Sequence, residues 1–357
     1  MVSGSPAFWR GKRVVLTGHT GFKGAWLSWM LSRLGAEVFG YALAPEGEAS
    51  LFALSGLDRH APGTLGDICD RDRLARAIGE ARPDVVIHLA AQALVRRSYA
   101  APEETWRTNV QGTLCLLEAL RGCAPFPLTL VVTTDKVYRN DESGRPFRES
   151  DPLGGHDPYS ASKAACELLV ESWRESYAET QGAVVATARA GNVIGGGDFA
   201  EDRIVPDLWR AMRAGTRPLL RNPGATRPWQ HVLDCLNGYL LYLEALGNGR
   251  DVPLALNFGP EPAHVRTVAQ IADGMMQALD LTDGWDRPAD TGPREMGQLS
   301  LDTTLARGAL AWRDRLDGDA LLAWTADWYR ALAQGRDMHQ HTLSQIDAYL
   351  TLADRTP

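Results

Sequence analysis

The chain has 357 residues, 45% of them hydrophobic and 23% charged, with a formal net charge of −7. Such a composition supports a sizeable core, divided between up to two domains, and excludes collagen-like, disordered and disulfide-dense classes. The acidic balance excludes a general nucleic-acid binder, which needs basic clustering on one face, but not a small anion held by local arginines.

The opening MVSGSPAFWRGKRVVLTG has a proline and charges where a signal peptide needs an apolar stretch. No apolar run reaches the ~18 residues of a membrane span. Five scattered cysteines (Cys69, Cys115, Cys123, Cys166, Cys235) form no CxxC pair and no cluster with metal spacing. They read as thiols in a reducing compartment, so a cytoplasmic protein without a metal site or membrane partner is expected.

Val14–Leu16 reads as a buried strand and Phe22–Leu34 as the helix after it. Next come a strand at Glu37–Tyr41, a helix at Arg71–Ala81, a strand at Asp84–Leu89 and a long helix at Thr105–Leu120. Leu128–Thr133 is another strand, Tyr159–Tyr177 a helix and Val184–Arg189 a strand. Apolar strands alternating with amphipathic helices indicate a parallel sheet covered on both faces, the doubly wound α/β class. Trp26, Trp29 and Trp106 fall on predicted helices and are read as core.

After Arg189 the texture changes. Gly191–Asp198 reads GNVIGGGD, and the stretch to about Pro228 carries Arg203, Arg210, Arg213, Arg217, Arg221 and Arg227. Helices at His231–Leu246, Val268–Leu279 and Ala320–Ala333 and a strand at Leu254–Phe258 follow. The pattern predicts a dinucleotide-binding domain of residues 1–190 plus roughly 231–260. Roughly 191–230 plus 261–357 then form a smaller, discontinuous C-terminal α/β substrate domain.

The first strand runs into Gly18-His19-Thr20-Gly21-Phe22-Lys23-Gly24. Glycines between a strand and a helix allow a tight turn, backbone approach to a diphosphate and close helix packing, with the anion at the helix N-terminus. A ribose-binding acid is missing from the end of Glu37–Leu43, and no arginine there signals a 2′-phosphate, so the residues leave NAD and NADP both open. His19 or Lys23 could take over ribose contacts, and Asp67-Ile68 could hold the adenine edge.

Tyr159 and Lys163 stand one helical turn apart. A phenol is a poor base at neutral pH, and an adjacent ammonium would favour its phenolate. Upstream, the Leu128–Thr133 strand ends in Thr134-Asp135-Lys136, at the carboxyl end where open α/β sheets bind ligands. Thr134 could bond the reacting hydroxyl beside Tyr159. Asp135 and Lys136 are surplus to carbonyl reduction, and an added acid and base suggest a second step such as loss of water.

GHTGFKGAW, HLAAQALVRRSY, TDKVY, GGHDPYSASK, RAGNVIGGGDFAEDRIVPD and RNPGATRPWQHV together resemble the extended short-chain dehydrogenase/reductase family, with a weaker echo at Glu295–Asp302 (EMGQLSLD). Within it the chain is most similar to the nucleotide-sugar 4,6-dehydratases. The resemblance implies a Rossmann sheet, recycled NAD and a nucleotide-sugar substrate, with CDP-glucose favoured over other nucleotides. It implies that Tyr159, with Thr134 and Lys163, removes the C4 hydroxyl proton, Lys136 the C5 proton, while Asp135 protonates the departing C6 hydroxyl. The dehydratases acting on dTDP-glucose carry Glu at the position of Lys136; a lysine base must first be neutral, which burial and nearby Lys163 would favour. By the same resemblance Leu89, Ala90, Ala91 and Gln92 line the nicotinamide side and Asn109 braces the site. Gln92, Asn192, Arg203, Arg221 and Arg227 then lie along the nucleotide-sugar, where guanidinium forks suit a diphosphate, and Trp229 and His231 either pack near the base or order the loop. A dimeric or tetrameric homo-oligomer and a place in deoxysugar supply for O-antigen or another cell-surface polysaccharide are further implications.

Overall fold

Seven parallel strands form the centre of the computed structural model, which describes residues 4–46, 49–61, 63–261, 264–281, 283–289 and 296–352. Met1–Ser3 of the opening and Glu295 of the EMGQLSLD motif lie outside these residues. The strands in chain order are β1 (Arg13–Thr17), β2 (Glu37–Ala42), β3 (Thr64–Leu65), β4 (Val85–His88), β5 (Leu128–Val132) and β6 (Val185–Ala190). They are followed by β7 (Val193–Ile194), β8 (Thr226–Arg227), β9 (Gln230–His231), β10 (Ala255–Phe258) and β11 (Arg266–Thr267). The large sheet has the order β10-β6-β5-β4-β1-β2-β3, so the chain reverses direction across the sheet between β1 and β4. Such a reversal leaves a crevice beyond the strand ends where ligands bind. Thr17 and His88, the last residues of β1 and β4, are partners in register at its floor. The shorter strands pair separately, β7 with β9 and β8 with β11.

Helices cover the sheet because their apolar faces match its buried strands. Arg71–Ala81 starts where the Asp70 carboxylate accepts a hydrogen bond from Arg73 N at 3.1 Å, and buries Leu74, Ile78 and Ala81. Val232–Gly247 is buried almost along its length, against β5 and the helix Phe22–Arg33. Trp26 and Trp29 are core as expected, but Trp106 is 42% exposed. No helix among the described residues is long and apolar enough to cross a membrane.

The expected helix Thr105–Leu120 begins earlier and is irregular. Pro102–Trp106 is α-helical, Arg107–Gln111 forms a π-helical turn, and Gly112–Leu120 resumes the α-helix. A π turn holds one extra residue, which redirects the side chains around it and is common at functional sites. Asn109 sits inside this turn and is buried.

Candidate active site

Glycine chemistry shapes the crevice. Gly18 has φ +75°, a conformation open to glycine, and a Cβ there would lie 2.8 Å from Ala90 N at the end of β4. At Gly24 a Cβ would lie 2.1 Å from Gly18 O, so only glycine lets the helix close on the turn. The helix Phe22–Arg33 begins at Gly21 with no side chain capping its amides. Free amides at the positive end of a twelve-residue helix fit a dinucleotide diphosphate. Thr20 Oγ1 is tied to Leu43 O at 2.9 Å and Phe22 is half-buried.

His19 does not take the ribose position expected of it. It has no exposed surface, its ring packs edge-on to Phe52, and Gly40 and Gly63 lack a Cβ where that ring passes. Lys23 also points inward: its ammonium lies 3.3 Å from Tyr239 Oη and 3.7 Å from Cys235 Sγ. Asp67 accepts bonds from Cys69 N (2.9 Å) and Arg107 (2.7 Å). Burial opposes its ionisation, but those two bonds outweigh it and hold the carboxyl below its ordinary range. Ile68 is packed, at a site where a Cβ on Gly112 would lie 2.5 Å from its Cγ2.

At the β4 end Leu89, Ala90 and Ala91 are half-buried, while the Gln92 amide is engaged locally with Leu94 and Thr105. Asn109 accepts from Gln92 N (2.9 Å) and donates to Gln92 O (3.1 Å) and Ser162 Oγ (2.9 Å). A relay runs beneath this bracket. Thr113 Oγ1 donates to Asn109 O at 2.6 Å, so it must accept from His88 Nε2 at 3.1 Å. His88 Nδ1 is then the acceptor for Thr17 Oγ1 at 2.7 Å, which fixes the tautomer.

Burial, with Lys163 adding to it, lowers the His88 pKa to about 3, and burial alone lowers that of His231 to about 3. Both values lie below the unfolded value of ~6.5, so the stability these neutral rings contribute is complete above that pH and lost as the pH falls toward 3. Each should add a slope of up to ~1.4 kcal/mol per pH unit in that window. His231 Nδ1 caps the helix Val232–Gly247 by accepting from Leu233 N, a role Asn can also fill. Between pH 6.5 and 4.5 the stability of His231→Asn in urea unfolding should fall less steeply than that of the wild type, by up to ~1.4 kcal/mol per pH unit; an unchanged slope would contradict this assignment.

The reactive cluster stands at the end of β5. Thr134 Oγ1 donates to Asp135 Oδ1 at 2.9 Å, and Lys136 Nζ reaches the same oxygen at 3.2 Å and Asn192 Oδ1 at 3.4 Å. Asp135 is fully buried, and its other oxygen, Oδ2, has no hydrogen-bond partner. An orphaned carboxylate oxygen is costly in a finished core and suits a site that awaits a hydroxyl. Tyr159, bonded to Thr134, starts the helix Pro158–Gln181 just after its cap, Asp157.

Burial, with smaller contributions from Asp135 and Asp157, pushes the Tyr159 phenol up to about 12 against the opposing effects of Thr134 and Arg203. The net shift is opposite in direction to the one expected from an adjacent Lys163. Lys163 Nζ donates instead to Val132 O at 3.1 Å, and burial lowers its own proton affinity, with Lys23 contributing.

The arginine-rich stretch divides by depth. Arg203 pairs with Asp198 of GNVIGGGD at 2.9 Å and lies within electrostatic reach of Tyr159. Arg221 pairs with Asp202 at 2.7 Å, and Arg96 approaches the same carboxylate at 3.5 Å. Arg227 is buried and donates to the carbonyls of Thr226 and Gly297. Trp229 Nε1 donates to Arg266 O at 2.9 Å and fully buried His231 accepts from Leu233 N, so the two order the loop and the helix start.

Sequence reasoning missed three elements of this site: Arg96, the Cys235–Tyr239 floor under Lys23, and a buried network behind β5. In the last, Glu167 accepts from Thr133, from Thr187 at 2.8 Å and from Arg189 at 2.8 Å, while Arg189 also donates to Tyr138 Oη at 2.8 Å. The available signal was an arginine inside the apolar run of β6, which needs a buried partner.

The model of the NAD dependent epimerase/dehydratase family matches residues 14–255. The chain is 40% identical over 354 residues to the CDP-glucose 4,6-dehydratase of Salmonella typhimurium, spanning 98% of this chain and 99% of that one. It is 34% identical to the dTDP-glucose 4,6-dehydratase of Streptomyces antibioticus over 74% of this chain and 75% of the other. The fold is similar to that of UDP-glucose 4-epimerase from Thermus thermophilus in complex with NAD: TM-score 0.78, 25% identity, 89% of this chain and 99% of that chain.

Proposed function

Since the chain belongs to the NAD dependent epimerase/dehydratase family, we propose that it is an NAD-dependent nucleotide-sugar 4,6-dehydratase that converts CDP-glucose to CDP-4-keto-6-deoxyglucose. NAD would lie from the open amides after Gly21 toward Tyr159 and, when bound, takes up hydride from C4 and later returns it to C6. Tyr159 takes the C4 hydroxyl proton while Thr134 holds the oxygen, and Lys163 and Asn109 hold the nicotinamide end. The 4-keto group acidifies the C5 proton. Lys136 removes that proton, and Asp135 hands one to the departing C6 hydroxyl, so that water leaves. Arg203 and Arg221, with Asn192, face the nucleotide diphosphate, and Arg227 and Trp229 shape the wall behind it.

One observation carries this reading: a buried carboxyl with a free oxygen beside a lysine 3.2 Å away, next to Tyr159. A 4-epimerase, which only removes and returns one hydride, has no use for that pair. The test is incubation with CDP-, dTDP-, UDP- and GDP-hexoses. A 4-keto-6-deoxy product from CDP-glucose with catalytic NAD is expected; steady net accumulation of NADH would overturn the reading.

Residues 1–190 with roughly 231–260 would bind NAD, and roughly 191–230 with 261–357 the nucleotide-sugar. Exposed Tyr99, Trp106 and Leu168, on the mutually packed helices Val95–Ala100, Pro102–Trp106 and Pro158–Gln181, support a homo-oligomer built through this face. Free thiols at all five cysteines suit a cytoplasmic enzyme, and the product suits supply of deoxysugars for a cell-surface polysaccharide such as O-antigen.

A further inference from the structure

Lys23 is the second residue of the helix that starts at Gly21, yet its side chain turns away from the exposed mouth of the glycine turn. Its ammonium rests 3.3 Å from Tyr239 Oη, 3.7 Å from Cys235 Sγ and 5.6 Å from the Tyr239 ring centroid. Both partners are fully buried and neutral, and among the described residues no carboxylate lies within ion-pair distance of Lys23. A half-buried ammonium with no carboxylate in ion-pair contact projects its field onto whatever lies beside it. Two neighbours locate that field. Cys235 and Tyr239 stand on Val232–Gly247, which packs on β5 with Gly247 beside Leu128, the first residue of that strand, so the Cys235 end of the helix lies toward the carboxyl end of β5, where Thr134 emerges. The charge therefore sits on the Tyr159 side of the glycine turn, toward the reacting end of a dinucleotide and away from its adenosine end.

We propose that Lys23 biases the bound cofactor toward its reduced form, acting through its charge on the nicotinamide end; this rests on the NAD-dependent reading above. Oxidation at C4 breaks the C4–H bond and forms C4=O. The hydroxyl proton passes to Tyr159 and hydride to the nicotinamide ring, which thereby loses its positive charge. A neighbouring ammonium opposes the charged ring and is indifferent to the neutral one. It therefore favours the first hydride transfer and retains the reduced cofactor until hydride returns to C6. A phosphate-gripping lysine would behave differently, because the diphosphate is the same in both forms.

The test is the ratio of dissociation constants for NAD and NADH, measured by calorimetry or NADH fluorescence on the full chain freed of nucleotide. Lys23→Met should lower Kd(NAD)/Kd(NADH) by about tenfold, a change of ~30 mV in the bound couple. Lys23→Arg, which keeps the charge, should leave the ratio close to wild type and controls for misfolding of the methionine variant. An equal loss of affinity for both forms would make Lys23 a phosphate contact and overturn the proposal, as would an unchanged ratio. Failure of the wild-type chain to bind either form would instead overturn the NAD-dependent reading itself.

Discussion

Tyr159→Phe should lower turnover by about 10²–10⁴-fold, the range for a positioned general base. The substitution removes one oxygen from a buried ring, so the fold should survive it and the loss reports on chemistry. Because burial pushes the phenol up to about 12, the phenolate fraction grows with pH, and the single-turnover oxidation rate of the wild type should rise with it. The variant should be flat over the same range. Lys136→Met separates the steps: transient NADH should still form, while solvent deuterium should no longer enter at C5. Full activity of Tyr159→Phe, or unchanged exchange at C5 in Lys136→Met, would remove that residue from its role.

Glu167→Ala should cost about 3–5 kcal/mol of folding free energy, because it leaves the Arg189 guanidinium buried without its counter-charge. Both side chains are nearly inaccessible to water, and the pair ties β6 to Thr133 beside the reactive loop and, through Tyr138, to Asn257 on β10. A domain of ordinary stability would lose a large share of its margin. Urea unfolding measures this directly; a loss under about 1 kcal/mol would mean that the pair is dispensable. Glu167→Gln retains hydrogen bonds to Thr133 and Thr187 and should fall between the two.

The sheet was legible because its strands are continuous apolar runs bounded by turns, a pattern that survives errors of a residue or two at each end. The helix Arg71–Ala81 was readable to the residue, since Asp70 caps it and its apolar positions repeat at helical spacing. Helices such as Val95–Ala100 and β3 were too short to carry a period. Ile204–Ala214 was hidden among arginines whose stems cover apolar surface.

In the site, residue types at strand ends pointed to Thr134, Asp135 and Tyr159 because position in the sheet dictates where those side chains emerge. His19 was not legible in this way. Whether an imidazole faces a ligand or a core depends on glycines elsewhere in the chain, Gly40 and Gly63 for His19, and no local pattern records that. Ionisation was equally hidden: the spacing of Tyr159 and Lys163 suggested an activated phenol, whereas burial raises the phenol and lowers the proton affinity of the amine.

The π-helical turn at Arg107–Gln111 has a further consequence, for insertions and deletions. It stores one residue more than a regular helix of the same span, and each residue turns an α-helix by about 100°. Deleting one residue there could leave the ladder of backbone bonds intact while swinging Asn109 away from Gln92 and Ser162. A one-residue gap at this point would thus alter the geometry of the centre while every reactive side chain kept its identity.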